Sequence, residues 1–262
     1  MSAGDAALDS EVLARHALGW DRARLLANGR NEEPADFAGR YQGLIDRRSR
    51  REPVAYITGF REFWGLEFDV TPDVLIPRPE TELIVEGVCE RHPDRRGVNH
   101  IVDVGTGSGC LSVALAREFP RAHVTAIDIS DAALRIARRN AVRHGVLDRI
   151  TLMKGDLLDA IAGPVDVIVS NPPYVPSAAR LQPDIVRFEP ALALFSGEDG
   201  LSALAALVGS AQARLSSSGL FAVEFGFGQS DAVTTLADAA GWRRITIKDD
   251  LQGIPRVAVL SM

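Results

Sequence analysis

From residue 100 onward the chain repeats one pattern: an apolar run of strand length, a short turn, then a segment of helical periodicity. HIVDVG is followed by CLSVALAREF, HVTAIDI by DAALRIARRNAVRHG with Ser130 placed to cap it, and ITLMKGD by a short helix LLDAIA. Strand VDVIVS then leads into a long irregular stretch to about residue 199 that holds five prolines. Helix GLSALAALVGSAQARL, strand GLFAVEFG, helix SDAVTTLADAAGW and strands RRITIKDD and PRVAVLSM complete the chain. Such alternation predicts a parallel sheet with helices on both faces, and continuous apolar runs suit strands covered on both sides. The last two strands are separated only by LQGI, too short for a parallel crossover, so they pair antiparallel. The expectation is an α/β fold: a doubly wound, mostly parallel seven-stranded sheet with a C-terminal antiparallel hairpin. A structureless segment as long as 171–199 inside a compact domain is usually functional.

The first part of the chain has a different character. Leu8, Val12, Leu13, His16 and Leu18 recur at helical spacing, and so do Phe37, Tyr41 and Leu44. The stretch EPVAYITGFREFWGLEFDVTPDVLIPRP is rich in aromatic and β-branched residues and punctuated by Gly59, Gly65 and prolines. It reads as a hairpin around Gly65, then a turn through Pro77 and Pro79, with Pro79 opening a helix through TELIVEGVCERH. These features predict a small helical domain over residues 1–60, a hairpin linker over 61–78 and the α/β domain over 79–262.

Composition narrows the setting. A chain of 262 residues with 46% hydrophobic and 24% charged content is ordinary for a soluble protein. No apolar run approaches the ~18–20 residues of a membrane span. The opening MSAGDAALDSEV carries acids where a secretory leader carries a basic patch and an apolar stretch. With only Cys89 and Cys110, neither a disulfide framework nor a zinc site is expected, no metal is called for, and a reducing cytoplasm fits best. The net charge of −6 argues against a protein whose main task is gripping nucleic acid. The densest positive run, RRSRRE with Arg47, Arg48, Arg50 and Arg51, reads as a solvated helix end.

DVGTGSG places Gly105, Thr106, Gly107, Ser108 and Gly109 at the turn from the first strand into its helix. Glycines there permit tight turning and close approach of a ligand to helix N–H groups. A dinucleotide fingerprint needs a glycine at 110, where Cys110 stands, and the G-x-G-x-G spacing resembles an adenosyl-methionine loop instead. Asp128, ending the next strand, sits where a carboxylate takes two ribose hydroxyls, or alternatively caps the helix beside Ser130. Asp156, at the end of the third strand, is placed to accept from an adenine amino group. Three such features in order at successive strand ends form a ligand-binding edge.

The fourth strand ends in SNPPY. Asn-Pro and Pro-Pro also mark plain loop starts, but this tetrapeptide follows a buried strand beside the expected ligand. An amide nitrogen is a poor nucleophile because its lone pair is delocalised into the carbonyl. Two acceptors on its two N–H hydrogens would orient the nitrogen and stabilise the positive charge it develops. Asn171 Oδ1 and the Pro172 carbonyl are candidates, prolines 172 and 173 lacking competing N–H groups. Tyr174 is expected to lie against the flat substrate group and exclude water.

DVGTGSG, AIDIS, GDLL and SNPPY together resemble the amino-methyltransferases that act on exocyclic nitrogens, and the expected sheet resembles that of class I methyltransferases. EPVAYITGFREFWGLEFDVTPDVLIPRPETE, VRFEPALALFSGEDGL and DDLQGIPRVAV are similar to segments of the release factor glutamine methyltransferases, the HemK family. The resemblance spans roughly residues 50–262. It implies methyl transfer from S-adenosyl-methionine, leaving S-adenosyl-homocysteine, to the N5 of the glutamine in the Gly-Gly-Gln motif of class I peptide chain release factors. It implies a cofactor site of Gly105, Thr106, Gly107, Ser108, Gly109, Asp128, Asp156, Leu157 and Asn171. It also implies a substrate site of Asn171, Pro172, Pro173 and Tyr174, with Asn171, Pro172 and Tyr174 carrying catalysis. Leu157 departs from members with an aromatic residue there, and the start is expected to be about one helix shorter. No membrane or nucleic-acid partner is expected. The alternatives are an N-methyltransferase for exocyclic amino groups of RNA or DNA bases, a binding protein that has lost catalysis, and, last, a dehydrogenase.

Overall fold

The computed structural model describes the backbone of residues 3–262 and the side chains of residues 6–262. Met1 and Ser2, which open the acidic N-terminal stretch, lie outside the described residues. The chain divides into two compact units. The smaller comprises residues 1–60 together with Leu181–Phe188, and the larger comprises 61–180 and 189–262, so the larger takes in the segment 61–78.

The small unit holds helices α1 (Ala3–Leu18), α2 (Arg22–Asn28), α3 (Phe37–Ser49) and α4 (Val54–Thr58), and later α8 (Pro183–Phe188). Leu13 and Ala17, one helical turn apart, are the buried positions of α1, whereas Leu8 and His16 of the expected apolar stripe are exposed. Asp21 caps α2 by accepting from the Arg24 N–H. The basic run is partly consumed within the unit. Arg48 meets Asp9 at 2.8 Å, tying α3 to α1, and Arg47 makes a bidentate pair with Glu52 that holds the Glu52 carboxyl below its ordinary range.

From Arg61 on, the hairpin of β1 (Phe60–Phe63) and β2 (Leu66–Asp69) belongs to the larger unit. Its turn residues Trp64 and Gly65 both have positive φ, as a two-residue hairpin turn requires. Trp64 accepts this strain because its backbone N–H donates to Glu82 and its indole N–H to Glu118. Pro79 opens a single 3-10 turn, Pro79–Thr81, that runs into α5 (Glu82–Arg91). The elements β3 (His100–Val104), α6 (Cys110–Glu118), β4 (His123–Asp128), α7 (Asp131–Arg143), β5 (Ile150–Lys154) and β6 (Val165–Ser170) follow. After α8 come α9 (Ser202–Ala211), β7 (Leu215–Glu224), α10 (Ser230–Ala239), β8 (Arg244–Asp249) and β9 (Pro255–Ser261).

The seven strands lie in the order β5-β4-β3-β6-β7-β9-β8, and β9 is the one antiparallel to its neighbours. The expected C-terminal hairpin is present, with β9 inserted between β7 and β8. Composition explains the placement: VAVL is buried on both faces, while RITIKD alternates and suits an edge. Asp250 forms the tight turn between these strands by accepting from Gln252 and Ile254 N–H groups and pairing with Arg256. Successive strand residues serve opposite faces. Ile101, Val167, Ala222 and Val259 pack with α5 and α6 on one face, and Val102, Ile168, Phe221 and Leu260 pack with α9 and α10 on the other.

One expected element is absent. LLDAIA forms turns, not a helix: Leu157 has φ +46°, and the Asp159 and Ile161 N–H groups bond three residues back. Leu158 and Ile161 are buried, so the helix-like spacing records two core anchors on a turn.

Asn140 joins three parts of this unit. From α7 its Oδ1 accepts from Asp69 N–H at 2.8 Å, and its Nδ2 donates to the Asp69 and Ser108 carbonyls at 3.0 and 2.8 Å. Asn140→Ala strands buried backbone groups and is expected to cost about 2–4 kcal/mol. The larger unit's calorimetric Tm should fall by roughly 5–10 °C; an unchanged Tm would show that water replaces the amide without penalty.

Candidate active site

Strand order reverses beside β3: the chain runs outward through β4 and β5, then crosses to β6 on the other side. The carboxyl ends of these strands bound a cleft, the general position of ligand sites in open α/β sheets. A cavity of about 450 Å³ lies there, bounded by the glycine loop, the segments after β4, β5 and β6, and residues 73–77 and 190–193.

The glycine loop is shaped from below. Gly105, Gly107 and Gly109 have φ of 71°, 54° and 80°, where side chains are strained. The Gly105 and Thr106 N–H groups both donate to the Ile127 carbonyl, binding the loop to β4. Gly109 serves packing, since a Cβ there would stand 3.0 Å from the Ala137 Cβ on α7. Around Gly105 and Gly107 there is open space instead, and both line the cavity. Gly109 gives α6 no side-chain cap, and Asp103 of β3 supplies one from a distance. Its Oδ2 accepts from the Ser112 N–H at 3.1 Å and from the Ser112 and Thr106 hydroxyls at 2.6 Å. Burial pushes the Asp103 carboxyl up to about 6 against these donors.

Asp128 lines the cavity and braces the residues on either side of it without capping the helix. Oδ2 accepts from Gly107 N–H and Oδ1 from Ser130 N–H, each at 2.9 Å, while Ser130 itself caps α7. Burial raises the Asp128 pKa from its ordinary value, and its carboxylate lines the cavity. Thr106, Ser108, Asp156, Leu157, Asn171, Pro172 and Pro173 line it as well. Gly109 and Tyr174 are the expected site residues that do not.

At the end of β6, Ser170 Oγ donates to the Val104 carbonyl and locks the strand end against β3. Asn171 Nδ2 donates to Thr81 Oγ1 at 2.9 Å, and Asn171 Oδ1 is buried with no partner among the described residues. Thr81 Oγ1 in turn donates to Glu224 Oε2 at 2.5 Å, and the Tyr174 hydroxyl donates to Glu224 Oε1 at 3.1 Å. Tyr174 therefore packs against the α9–α10 core with its hydroxyl engaged by β7, and its carbonyl accepts from Gln229. Glu224 is 2% exposed, and burial pushes its carboxyl up to about 7.

A third buried carboxylate clasps the cavity wall. Glu189 pairs with Arg78 at 2.6 Å and accepts from the Ile76 N–H, joining the segment before Pro79 to the one after Phe188. Nothing local in IPRPETE or RFEP signals that Arg78 and Glu189 bind each other, or that Thr81 reaches Glu224. A single acid inside the apolar runs HIVDV and GLFAVEFG was the available signal for Asp103 and Glu224.

The Glu224 pKa has a sign that can be tested. Its folded value of about 7 exceeds the ordinary 4.5, so the folded state keeps a proton that the unfolded chain releases between those values. Stability therefore falls as pH rises through that window, by on the order of 3 kcal/mol. Glu224→Gln removes this penalty. Its Tm relative to the parent should be higher at about pH 8 than at about pH 5, and a difference independent of pH would place the Glu224 pKa near 4.5.

Comparison with known proteins agrees with this architecture. Residues 81–187 match the family model "Methyltransferase small domain", and residues 1–59 match "PrmC N-terminal domain". The release factor glutamine methyltransferase of Geobacter sulfurreducens is 42% identical over 97% of this chain and 88% of its own length. That of Moorella thermoacetica is 45% identical over 95% and 89%. Among solved structures, the hMettl16 catalytic domain in complex with an RNA hairpin aligns with TM-score 0.63 at 17% identity, covering 79% of this chain and 80% of that one. A methyltransferase from Pyrococcus furiosus aligns with TM-score 0.55 at 17% identity, covering 84% and 96%. At such identity these two structures show the shared fold alone, whereas the sequence relatives extend over nearly the whole chain. The chain belongs to the release factor glutamine methyltransferase family.

Proposed function

We propose that this chain transfers a methyl group from S-adenosyl-methionine to the N5 amide nitrogen of the glutamine in the Gly-Gly-Gln motif of peptide chain release factors. The observation that carries this reading is Asn171 Oδ1: a buried acceptor without a partner among the described residues, on a residue that lines the cavity bounded by the glycine loop. A buried acceptor left unpaired costs stability and calls for a ligand donor.

The residues present fit the cofactor. The cavity of about 450 Å³ is of small-ligand size, and Gly105 and Gly107 leave open space where side chains would intrude. Asp128 would take the ribose hydroxyls with the lone pairs not used by Gly107 and Ser130, and Asp156 and Leu157 would meet the adenine. The bound cofactor supplies an electrophilic methyl on a sulfonium. Asn171 Oδ1 and the Pro172 carbonyl then accept the two hydrogens of the substrate amide, turning its nitrogen towards that methyl. Both oxygens bind more strongly as positive charge grows on the nitrogen, so their effect is largest in the transition state. The methylated nitrogen is acidic and releases its proton without a strong general base. In this reading Pro173 stiffens the loop and Tyr174 shields the acceptor pair from water.

The domain roles belong to the same proposal: residues 1–60 recognise the protein substrate, and the larger unit carries the chemistry, with the expected linker 61–78 packed into that unit and not spanning between two. Among the described residues no helix is long and apolar enough to cross a membrane, and Cys89 and Cys110 are both free, which suits work in the cytoplasm. An exocyclic amino group of a nucleic-acid base offers the same two hydrogens. Methyl transfer to purified release factor compared with transfer to RNA separates the two substrates.

Asp128→Ala should weaken adenosyl-methionine binding by about one to two orders of magnitude, from loss of charge-assisted bonds worth roughly 1.5–3 kcal/mol. Calorimetric titration decides: unchanged affinity with a lowered Tm would leave Asp128 only a brace for the glycine loop and for Ser130. Asn171→Ala should slow single-turnover transfer by ~10²–10³ with much less change in cofactor affinity. Transfer at the parental rate would reduce the tetrapeptide to a loop start.

A further inference from the structure

The two ends of a carboxamide have nearly the same shape and differ only in hydrogen bonding: one end accepts, the other donates. An asparagine that must present its oxygen to a substrate therefore needs something to hold its NH₂ end elsewhere. Left free, the amide would turn, and its NH₂ would confront the substrate N–H hydrogens. Asn171 of the present chain is not left free.

We propose that Thr81 and Glu224 form a hydrogen-bond relay that fixes which end of the Asn171 amide faces the substrate, making both of them positioning residues for methyl transfer. The inference rests on the reading that Asn171 accepts a substrate N–H. Thr81 has one hydroxyl hydrogen, and it is directed at Glu224 Oε2, 2.5 Å away. Towards Asn171 the Thr81 oxygen can then only accept, and the Asn171 Nδ2 donates to it at 2.9 Å. Reversing the amide would bring Oδ1 against an oxygen that has no hydrogen to offer, which is repulsive in a buried site. The unpartnered end in the observed orientation is Oδ1, the end the chemistry needs.

Glu224 sets the direction of the chain of bonds. In its ionised form both of its oxygens accept, one from Thr81 and one from Tyr174, so the relay has this direction once the buried carboxyl has given up its proton. It does so from a buried position, where an apolar residue would avoid the cost of desolvating a carboxylate. The three partners come from distant parts of the chain: the turn before α5, the end of β6 and the end of β7. They meet only in the folded larger unit.

The test is single-turnover methyl transfer to a purified release factor at saturating adenosyl-methionine, with cofactor affinity measured separately by calorimetry. Thr81→Val keeps the shape and removes the hydroxyl, and should slow transfer by about tenfold to a hundredfold, less than loss of Asn171 itself. Thr81→Ser restores the hydroxyl and should transfer close to the parental rate, while cofactor affinity stays at the parental value in both. Glu224→Leu frees the Thr81 hydrogen to turn towards Asn171 and should also be slow. Should Thr81→Val fail to fold, judged by lost cofactor binding, Thr81→Ala takes its place. Thr81→Val at the parental rate while Asn171→Ala is slow overturns the relay and leaves the acceptor role of Asn171 standing. Thr81→Ser as slow as Thr81→Val also overturns it, because packing and not the hydroxyl would then matter. Asn171→Ala at the parental rate removes the acceptor reading and the relay with it.

Discussion

The site depends on one buried carboxylate, that of Asp103. It ends no strand and touches no open surface, yet it fixes the two things a ligand at this edge would meet. Through Thr106 it holds the glycine loop, and through Ser112 it satisfies an N–H in the first turn of α6 that Gly109 cannot reach. A glycine at the cap position is needed because α7 passes too close for a side chain. Moving the capping acceptor into the strand beneath leaves the mouth of the helix unobstructed and still satisfied. The stability cost falls on Asp103 itself, whose charged form is disfavoured by burial.

The same division recurs across the sheet edge. Away from it the core is almost wholly aliphatic and aromatic, whereas Asp103, Ser170, Thr81, Glu224 and Glu189 are all buried close to the carboxyl ends of the strands or to the loops beside them. Each is hydrogen-bonded; Asp103 holds the loop and helix that follow its own strand, and the other four join segments far apart in sequence. A fold that only needed to be stable would replace several of them by apolar residues of similar volume. Their concentration at one edge marks where conformational definition has been favoured over stability.

Sequence made the sheet legible because its strands are buried on both faces and so announce themselves as unbroken apolar runs. The pairing of β9 between β7 and β8 was less visible: the antiparallel contact follows from the short LQGI connection, but which strand lies inside follows from comparing VAVL with RITIKD. Local pattern failed at LLDAIA, where Leu158 and Ile161 imitate a helical repeat while Leu157 takes a left-handed conformation. The glycine loop, Asp128, Asp156 and Asn171 could be placed at the cavity from sequence because their position follows from a strand end. Thr81 and Glu224 could not, because their bond spans 143 residues and neither has a local signature. Tyr174, expected against the substrate group, does not line the cavity, and its hydroxyl is committed to Glu224, a partner that no spacing rule predicts.

The make-up of the small unit has a consequence for how the protein is born. A chain leaves the ribosome from its N-terminus, and domains generally fold as they emerge. Helices α1 to α4 emerge first, but α8, which belongs with them, follows only after β3 to β6 and the glycine loop have been synthesised. The first unit to appear is thus completed late, by a six-residue helix delivered from the middle of the second. Until then the nascent chain carries an N-terminal helical group lacking one of its members, and the ribosome's own pace sets how long that interval lasts.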